Sequence, residues 1–470
     1  MCISDVRGEV PALEGGGVGG KEHTQAEIAK HNTPEDCWLI VNGKAYDVTS
    51  WVPSHPGGPL IYARAGGDCT QMFNSYHPLK VRAMLAKYEV GSVKVAPGEP
   101  PLVEYVEDLQ KGQFYHTLKA RVETFFNKSK IDPRVSQTMY VKTAVILAVL
   151  YACYYMAFWH YTSLPAAMCW AAAWGLVLSG VGVSIQHDGN HGAYGTSPTF
   201  SWIMGLTLDF VAGSSSFMWK QQHVVGHHPY TNVDGLDPDV RGHGVRRVAP
   251  GQQHLWFFIY QQVYLAALYG LLTIKGILWD DFETYYKGTV GSIALCKMTA
   301  GEKAVFWGGK AFYALHMIAL PLAYGPHSFA RFWGLWLFGQ ALCGLFLALM
   351  FSVAHMVPGA AFPVLDVKSG KVPVGWAESQ LLSTADFAPD SFFWTHVSGG
   401  LNYQVVHHLF PGVCHCHYPK IAPIVTKTAG EFGIKHIVFP TFSEALTAHF
   451  GHLKRMGLGE GGIPSLATVG

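Results

Sequence analysis

Three histidine clusters carry the chemistry written in this chain: His187-Asp-Gly-Asn-His191, His223-Val-Val-Gly-His227-His228 and Gln404-Val-Val-His407-His408. Residues four apart on a helix share a face, so His187 and His191 can reach one metal ion, and so can His223 and His227. His228 is turned roughly 100° away and is free to reach a second ion. His407 and His408 can diverge in the same manner. Imidazole suits iron, copper and zinc. One tetrahedral zinc is satisfied by four ligands; seven histidines in three clusters exceed that and favour two metals. Asp188 and Asn190, and Asp234, Asp237 and Asp239, are candidates to orient ring nitrogens from behind. The run Cys414-His415-Cys416-His417 has adjacent spacing unlike a structural zinc site and reads as an interfacial loop.

The elements that must position these clusters are apolar. Only 14% of the 470 residues are charged, against roughly 25% in an ordinary soluble chain. Residues 143–186 contain no Asp, Glu, Lys or Arg. That block is long enough for two crossings of about 20 residues each, turning near Ser163-Leu164-Pro165. The block 304–365 is interrupted by Lys310 and Arg331 and fits two more, turning near Tyr324-Gly325-Pro326. Ser201–Gly213 is short, contains Asp209, and is expected to re-enter or lie at the interface. Val248–Ile274 is long enough to span but carries Gln252, Gln253, His254, Gln261 and Gln262. It is placed in the membrane surface, because a fifth crossing would strand the third cluster on the opposite side. With four crossings all three clusters meet on one face. The flanks on that face hold Lys128, Lys130, Arg134, Lys142, Arg241, Arg246, Arg247, Lys275 and Lys303, which puts it in the cytosol. The fold class is therefore mainly α: an integral membrane protein with four transmembrane helices and a cytosolic helical cap. A net charge of +1 gives no case for nucleic acid. The nine cysteines show no framework spacing and read as reduced thiols.

Ahead of the membrane region stands a small α+β module, residues 21–95. Thr24 with Glu27 is a capping box, and Trp38–Val41 and Lys44–Val48 are short β runs joined by Asn42-Gly43, a hairpin signal. Residues 1–20 are Gly-rich without an apolar core and are expected to be a disordered lead-in. Residues 96–138, opening with Pro97, Pro100 and Pro101, are expected to be a linker and connecting helix. Residues 139–428 form the membrane domain and 429–470 a C-terminal cytosolic tail.

These motifs resemble those of the membrane front-end fatty acid desaturases, in which a cytochrome b5 domain precedes a histidine-box desaturase. The resemblance rests on His55-Pro-Gly-Gly58, the three boxes, and glutamine opening the third box; it covers nearly all of the chain after residue 20. Gln222–Val240, Phe306–Lys310, Leu401–Gly412 and Ile463–Gly470 are similar to the Δ5 desaturases of green algae and fungi. The resemblance implies two iron ions with His187, His191, His223, His227, His228, His407 and His408 as ligands, and His355 after the last membrane helix as a further one. Gln404 stands at the catalytic site where other relatives have a ligand; direct iron binding, binding through water, or neither are all open. His55 and His77 resemble the axial ligands of haem b. Such a haem has no open position and passes single electrons. The implied partners are an acyl-lipid or acyl-CoA substrate, dioxygen, membrane lipid, and NADH-cytochrome b5 reductase as electron source. The implied location is the endoplasmic reticulum membrane, multi-pass, with the histidines and both termini cytosolic. The implied reaction places a cis double bond at Δ5 of a twenty-carbon polyunsaturated acyl chain, in arachidonate and eicosapentaenoate formation. Alternatives are a Δ6, Δ8 or Δ4 front-end desaturase, a sphingolipid desaturase, a hydroxylase and, from another class, a non-enzymatic haem- and metal-binding membrane carrier. The carrier predicts intramembrane acidic residues, and the apolar blocks have none.

Overall fold

The computed structural model describes residues 20–108, 111–161, 163–241 and 244–460. The expected lead-in, Gly20 apart, lies outside the described residues, as does the segment Ile463–Gly470. The N-terminal module is a five-stranded sheet in the order Glu22–Thr24, Glu89–Lys94, Lys44–Asp47, Asp36–Val41, Asn32–Thr33. The Thr24–Glu27 capping box forms with both of its hydrogen bonds. At the hairpin, Asn42 and Gly43 have φ of 50° and 72°, the two positive values that a tight turn matched to strand twist requires. Side chains alternate across the strands. Cys37, Leu39 and Val41 enter one apolar cluster, while Ile40 joins Ala45 and Ile28 in another. Both faces are thus covered, and the helix Thr70–Tyr76 ends at His77.

Among the described residues, three helices are long and apolar enough to cross a membrane: Gln137–Phe158, Leu164–Asn190 and Phe329–His355. The expected turn at Ser163 is where the second begins, with Pro165 in its first turn. There its missing N–H is no loss. Leu164–Asn190 and Phe329–His355 cross backbone to backbone. A Cβ on Gly175 would fall 2.0 Å from the Gly339 carbonyl oxygen, the small-residue contact through which membrane helices approach. Trp174, Phe158, Phe332 and Trp336 fill the space around that crossing.

Residues 300–324 are helical in three consecutive segments and start from a Thr299–Glu302 capping box. Lys310 and His316 reduce the apolarity of this stretch, and Lys310 reaches Asp281 Oδ2 at 2.5 Å. A fourth apolar element is the pair Trp256–Tyr269 and Leu272–Lys287, bent by 66°. It is not one straight rod, and its first half covers much of the segment placed in the membrane surface from sequence. The sequence count of four crossings thus meets three single helices, or up to four with the bent pair taken as one span.

Residues expected as a tail fold back. Ile437–Phe439 pairs in parallel with Ala385–Phe387, and the helix Phe442–Gly457 buries Ala445, His449 and Leu453. His187 and His191 lie at the C-terminal end of Leu164–Asn190, and His355 ends Phe329–His355.

Candidate metal centre and haem site

In the N-terminal module the Nε2 atoms of His55 and His77 face each other 3.5 Å apart. An iron between two imidazoles, at about 2 Å from each, separates them by roughly 4 Å, so a small outward shift suffices. His77 Nδ1–H donates to the Phe73 carbonyl at 3.0 Å, which leaves Nε2 as the ligating atom. Gly57 is required beside His55: a Cβ there would meet the ring Cε1 at 2.8 Å. Burial holds His55 below its ordinary range and brings His77 down to about 4. Both are neutral, the form that binds iron.

In the membrane domain the histidines of all three clusters and His355 are buried. They fall into two sets. His187, His191, His223 and His407 place one ligand atom each within 4.8 Å of one another, and so do His227, His355 and His408. Within the first set, ring centroids are 4.7 Å apart for His187–His191 and 4.5 Å for His187–His407. In the second they are 4.8 Å for His227–His355 and 4.9 Å for His355–His408. His228 sits between, 4.6 Å from His407 and 4.5 Å from His408.

The donor set fits metal. His187 Nδ1 and Nε2, His191 Nε2, His228 Nδ1, His355 Nδ1 and His407 Nε2 are buried with no hydrogen-bond partner. Each such atom costs about 1–3 kcal/mol if left unpaired. Protons cannot fill the gap. Burial first, and mutual repulsion second, hold His191, His223, His228, His407 and His408 well below the ordinary imidazole range. His227 is the exception. Burial opposes its charge, but Asp237 and Asp239 outweigh burial and raise it to about 9.

Partners on the outer nitrogens aim the rings inward. Asp237 accepts from His227 Nδ1 at 3.0 and 3.1 Å. His408 Nδ1 lies 2.9 Å from Gln380 Oε1 and 3.1 Å from Thr231 Oγ1. His407 Nδ1 meets the Tyr418 hydroxyl at 3.2 Å, and His191 Nδ1 meets that of Tyr76 at 2.6 Å. The Gln404 amide nitrogen lies 2.9 Å from His355 Nε2 and 3.2 Å from His408 Nε2, with Oε1 buried and unpartnered.

Three sequence expectations are corrected. Lys220–His227 is π-helical, and a π-turn brings residues five apart together. His228 therefore lies against His223, Nε2 to Nε2 at 3.2 Å, rather than turned away from it, and His227 meets His355 and His408. Asn190 orients no ligand; it bonds Gln186 and the Gly205 carbonyl. The 414–417 run is buried rather than interfacial: His415 Nδ1 bonds Asp188 at 2.8 Å and its Nε2 faces Lys142 Nζ at 2.9 Å. Spacing gave no sign of Tyr76, Thr231 or Gln380, whose partners are 115, 177 and 28 residues away, nor of Tyr418, eleven residues from His407.

A family profile described as fatty acid desaturase matches residues 162–440. The chain belongs to the fatty acid desaturase family. A second profile, for the cytochrome b5-like haem/steroid binding domain, matches residues 24–94. An acyl-lipid (8-3)-desaturase of Physcomitrium patens is 50% identical over 446 residues, 94% of this chain and 92% of that protein. A Delta(5) fatty acid desaturase A of Dictyostelium discoideum is 37% identical over 94% of this chain and 95% of its own length. An acyl-lipid (8-3)-desaturase of Mortierella alpina is 35% identical over 93% of this chain and 98% of its own. This desaturase is of the front-end type with a fused cytochrome b5 domain, an oxidoreductase of lipid metabolism. Its family implies haem, iron, an acyl-lipid substrate, dioxygen and a membrane setting.

Proposed function

We propose that this desaturase forms a cis double bond at Δ5 of a twenty-carbon polyunsaturated acyl chain. We place two irons at the paired histidine sets: one with His187, His191, His223 and His407, the other with His227, His355 and His408, and His228 between them. The observation that carries this reading is the convergence of these buried imidazoles in two adjacent groups, with nitrogens of His187, His191, His355 and His407 left without a hydrogen-bond partner. Iron supplies the dioxygen activation that no side chain can. The chain's own residues do the rest. The outer hydrogen bonds of Asp237, Gln380, Thr231 and Tyr418 keep the ring protons on Nδ1 and Nε2 inward. Burial of the histidines and of Gln380 and Gln404 keeps bulk water away from the site, which limits side reactions. With its amide turned over, Gln404 would offer Oε1 beside His355 and His408 as a neutral ligand. The Δ5 position is supported by the relatives named (8-3)- and Delta(5)-desaturases. An endoplasmic reticulum location and electrons from NADH-cytochrome b5 reductase belong to the same reading.

The test is to express the chain in a host lacking desaturation of this kind, feed dihomo-γ-linolenate, and locate the new bond by mass spectrometry. Arachidonate is expected, and none from a His407→Ala control. A new bond at Δ6 or Δ8 from other fed acids, with dihomo-γ-linolenate untouched, overturns the regiochemistry; an sn-1 linoleoyl-lipid 6-desaturase of Synechocystis is 32% identical over 75% of this chain. An unchanged product from the control overturns the site.

A further inference from the structure

Three of the inward-facing imidazoles, those of His227, His407 and His408, lean on Asp237, Tyr418 and Gln380 from the desaturase domain itself. His191 leans on the other domain. Its partner is Tyr76, the last residue of the helix Thr70–Tyr76 and the chain neighbour of His77. The phenol oxygen is 2.6 Å from His191 Nδ1, and the two rings are within 25° of parallel. Nε2 of His191 is the buried, unpartnered atom, so Nδ1 carries the proton and donates to the phenol oxygen.

The surroundings hold this contact from both sides. Lys119, buried on the helix Phe114–Ser129, donates to the carbonyls of Asn74 at 2.7 Å and His77 at 2.5 Å. Those carbonyls flank Tyr76 in the chain. Across the interface Gly412 leaves room for the ring: a Cβ there would meet Tyr76 Cδ1 at 3.2 Å. Gly192, directly after His191, comes as close to Leu60, with 3.0 Å from a built Cβ to Leu60 Cδ1. Gln221 donates to the Ala63 carbonyl at 3.0 Å. The haem module is therefore seated on the metal domain at a defined register, with Tyr76 reaching through the seam.

We propose that Tyr76 is the electron-coupling residue between the two centres, carrying the path His77, peptide bond, Tyr76 ring, hydrogen bond, His191. This rests on the reading of His55 and His77 as haem ligands and of His191 as an iron ligand. Electronic coupling falls less steeply through covalent and hydrogen bonds than across a van der Waals gap, and this route has one non-covalent step. In each transfer the ferrous haem iron loses one electron and becomes ferric. The ferric iron at His191 gains that electron and becomes ferrous. No bond is made or broken, Tyr76 is itself neither oxidised nor reduced, and the ring proton stays in the Tyr76–His191 hydrogen bond. Two such transfers match the two electrons consumed per double bond.

The test uses the full-length protein and Tyr76→Phe, which keeps the ring and removes the hydroxyl. The haem is reduced without oxygen, then mixed with dioxygen and acyl substrate, and its reoxidation is followed by absorbance. Haem reduction potential and iron per chain are measured on the same samples. The expected result is haem reoxidation, expressed per bound iron, slowed about tenfold or more, with the haem potential unchanged. Product formation driven by a small diffusible reductant that bypasses the haem, expressed per bound iron, is expected to fall by a smaller factor than haem reoxidation. Reoxidation at the original rate overturns the proposal. So does loss of iron from Tyr76→Phe together with a matching loss of bypass-driven product, since Tyr76 would then only orient His191. If the unaltered protein holds no iron, or its haem is not reoxidised under these conditions, the underlying metal reading fails instead.

Discussion

Asp237 is fully buried, and four contacts converge on its carboxylate. Oδ1 takes His227 Nδ1 at 3.1 Å and the Asp239 N–H at 2.8 Å; Oδ2 takes His227 Nδ1 at 3.0 Å and the Asn232 N–H at 2.8 Å. Asp237→Asn leaves His227 one acceptor in either orientation of the amide. It sets an NH2 against one of the two backbone N–H groups, and that buried donor then costs about 1–3 kcal/mol. It also withdraws the charge that, with Asp239, lifts His227 against burial. Loss of such an outer partner typically costs 10–100-fold in metal affinity. Asp237→Ala removes every acceptor at once and is expected to do worse. The assay equilibrates each protein with chelator-buffered ferrous iron and counts bound iron, with the haem absorbance as an internal measure of fold, because His55 and His77 are untouched. The expected order of half-saturation is unaltered, then Asn shifted about 10-fold or more, then Ala beyond it. Identical half-saturation for all three, with haem intact, would refute the idea that Asp237 holds His227 for a metal.

Gly175→Ala drives a Cβ into the Gly339 carbonyl and is expected to lower thermal stability by more than the roughly 1–3 kcal/mol of ordinary overpacking. Gly308→Ala, with nothing within 4 Å, is expected to be neutral or to stabilise by up to about 1 kcal/mol; equal melting temperatures for the two would refute the close crossing. Gln404→Ala removes the amide wedged against His355 and His408; product formation is expected to fall about 10–100-fold with the haem spectrum unchanged, and full activity would exclude Gln404 from the site. Chelation of iron is expected to lower the melting temperature, since ring nitrogens of His187, His191, His355 and His407 are then buried without partners; an unchanged melting curve would show that metal does not stabilise the fold.

What was legible in the sequence is what depends on short spacing. The hairpin at Asn42-Gly43, the Thr24–Glu27 capping box and the helix turn at Ser163 are each specified within a few residues, and each forms where the sequence puts it. The three boxes are likewise local. From sequence, the convergence of their rings is expected from the parity of apolar helices between them. The fourth crossing was less legible, because Lys310 and His316 interrupt the 300–324 helix while the bent Trp256–Lys287 pair matches it in apolarity. A lone histidine such as His355 has no spacing of its own and was reached only by resemblance. Of the outer partners, Asp237 was within reach because it lies ten residues from His227, whereas Tyr76 is 115 residues from His191 and Gln380 is 28 from His408. No periodicity links such pairs; only the assembled fold does.

The π-helical turns explain how one local motif reaches both histidine sets. In a regular α-helix, His223 and His227 would share a face, and His228 would point elsewhere. With Lys220–His227 π-helical, the His228 N–H donates to the His223 carbonyl five residues back at 3.0 Å. His223 and His228 then share the inner face. His227 is displaced toward Asp237 on its outer side and toward His355 and His408 on its inner side. A second π-turn, Val181–Ile185, stands directly before His187 on a helix whose earlier part packs against Phe329–His355. There the same widening lets one continuous helix satisfy two demands of register, close glycine packing within the membrane and inward imidazoles at its end. Such turns are rarely favoured by local sequence and concentrate at functional sites. In this chain they persist because Val181, Val183 and Ile185 on one, and Val224 and Val225 on the other, are buried. The apolar packing that holds the helices together therefore also sets which ring nitrogens face inward. A cavity-forming change such as Val183→Ala, though it touches no candidate ligand, is expected to loosen iron binding as well as the fold, and retention of full iron affinity in a measurably destabilised Val183→Ala protein would separate the two.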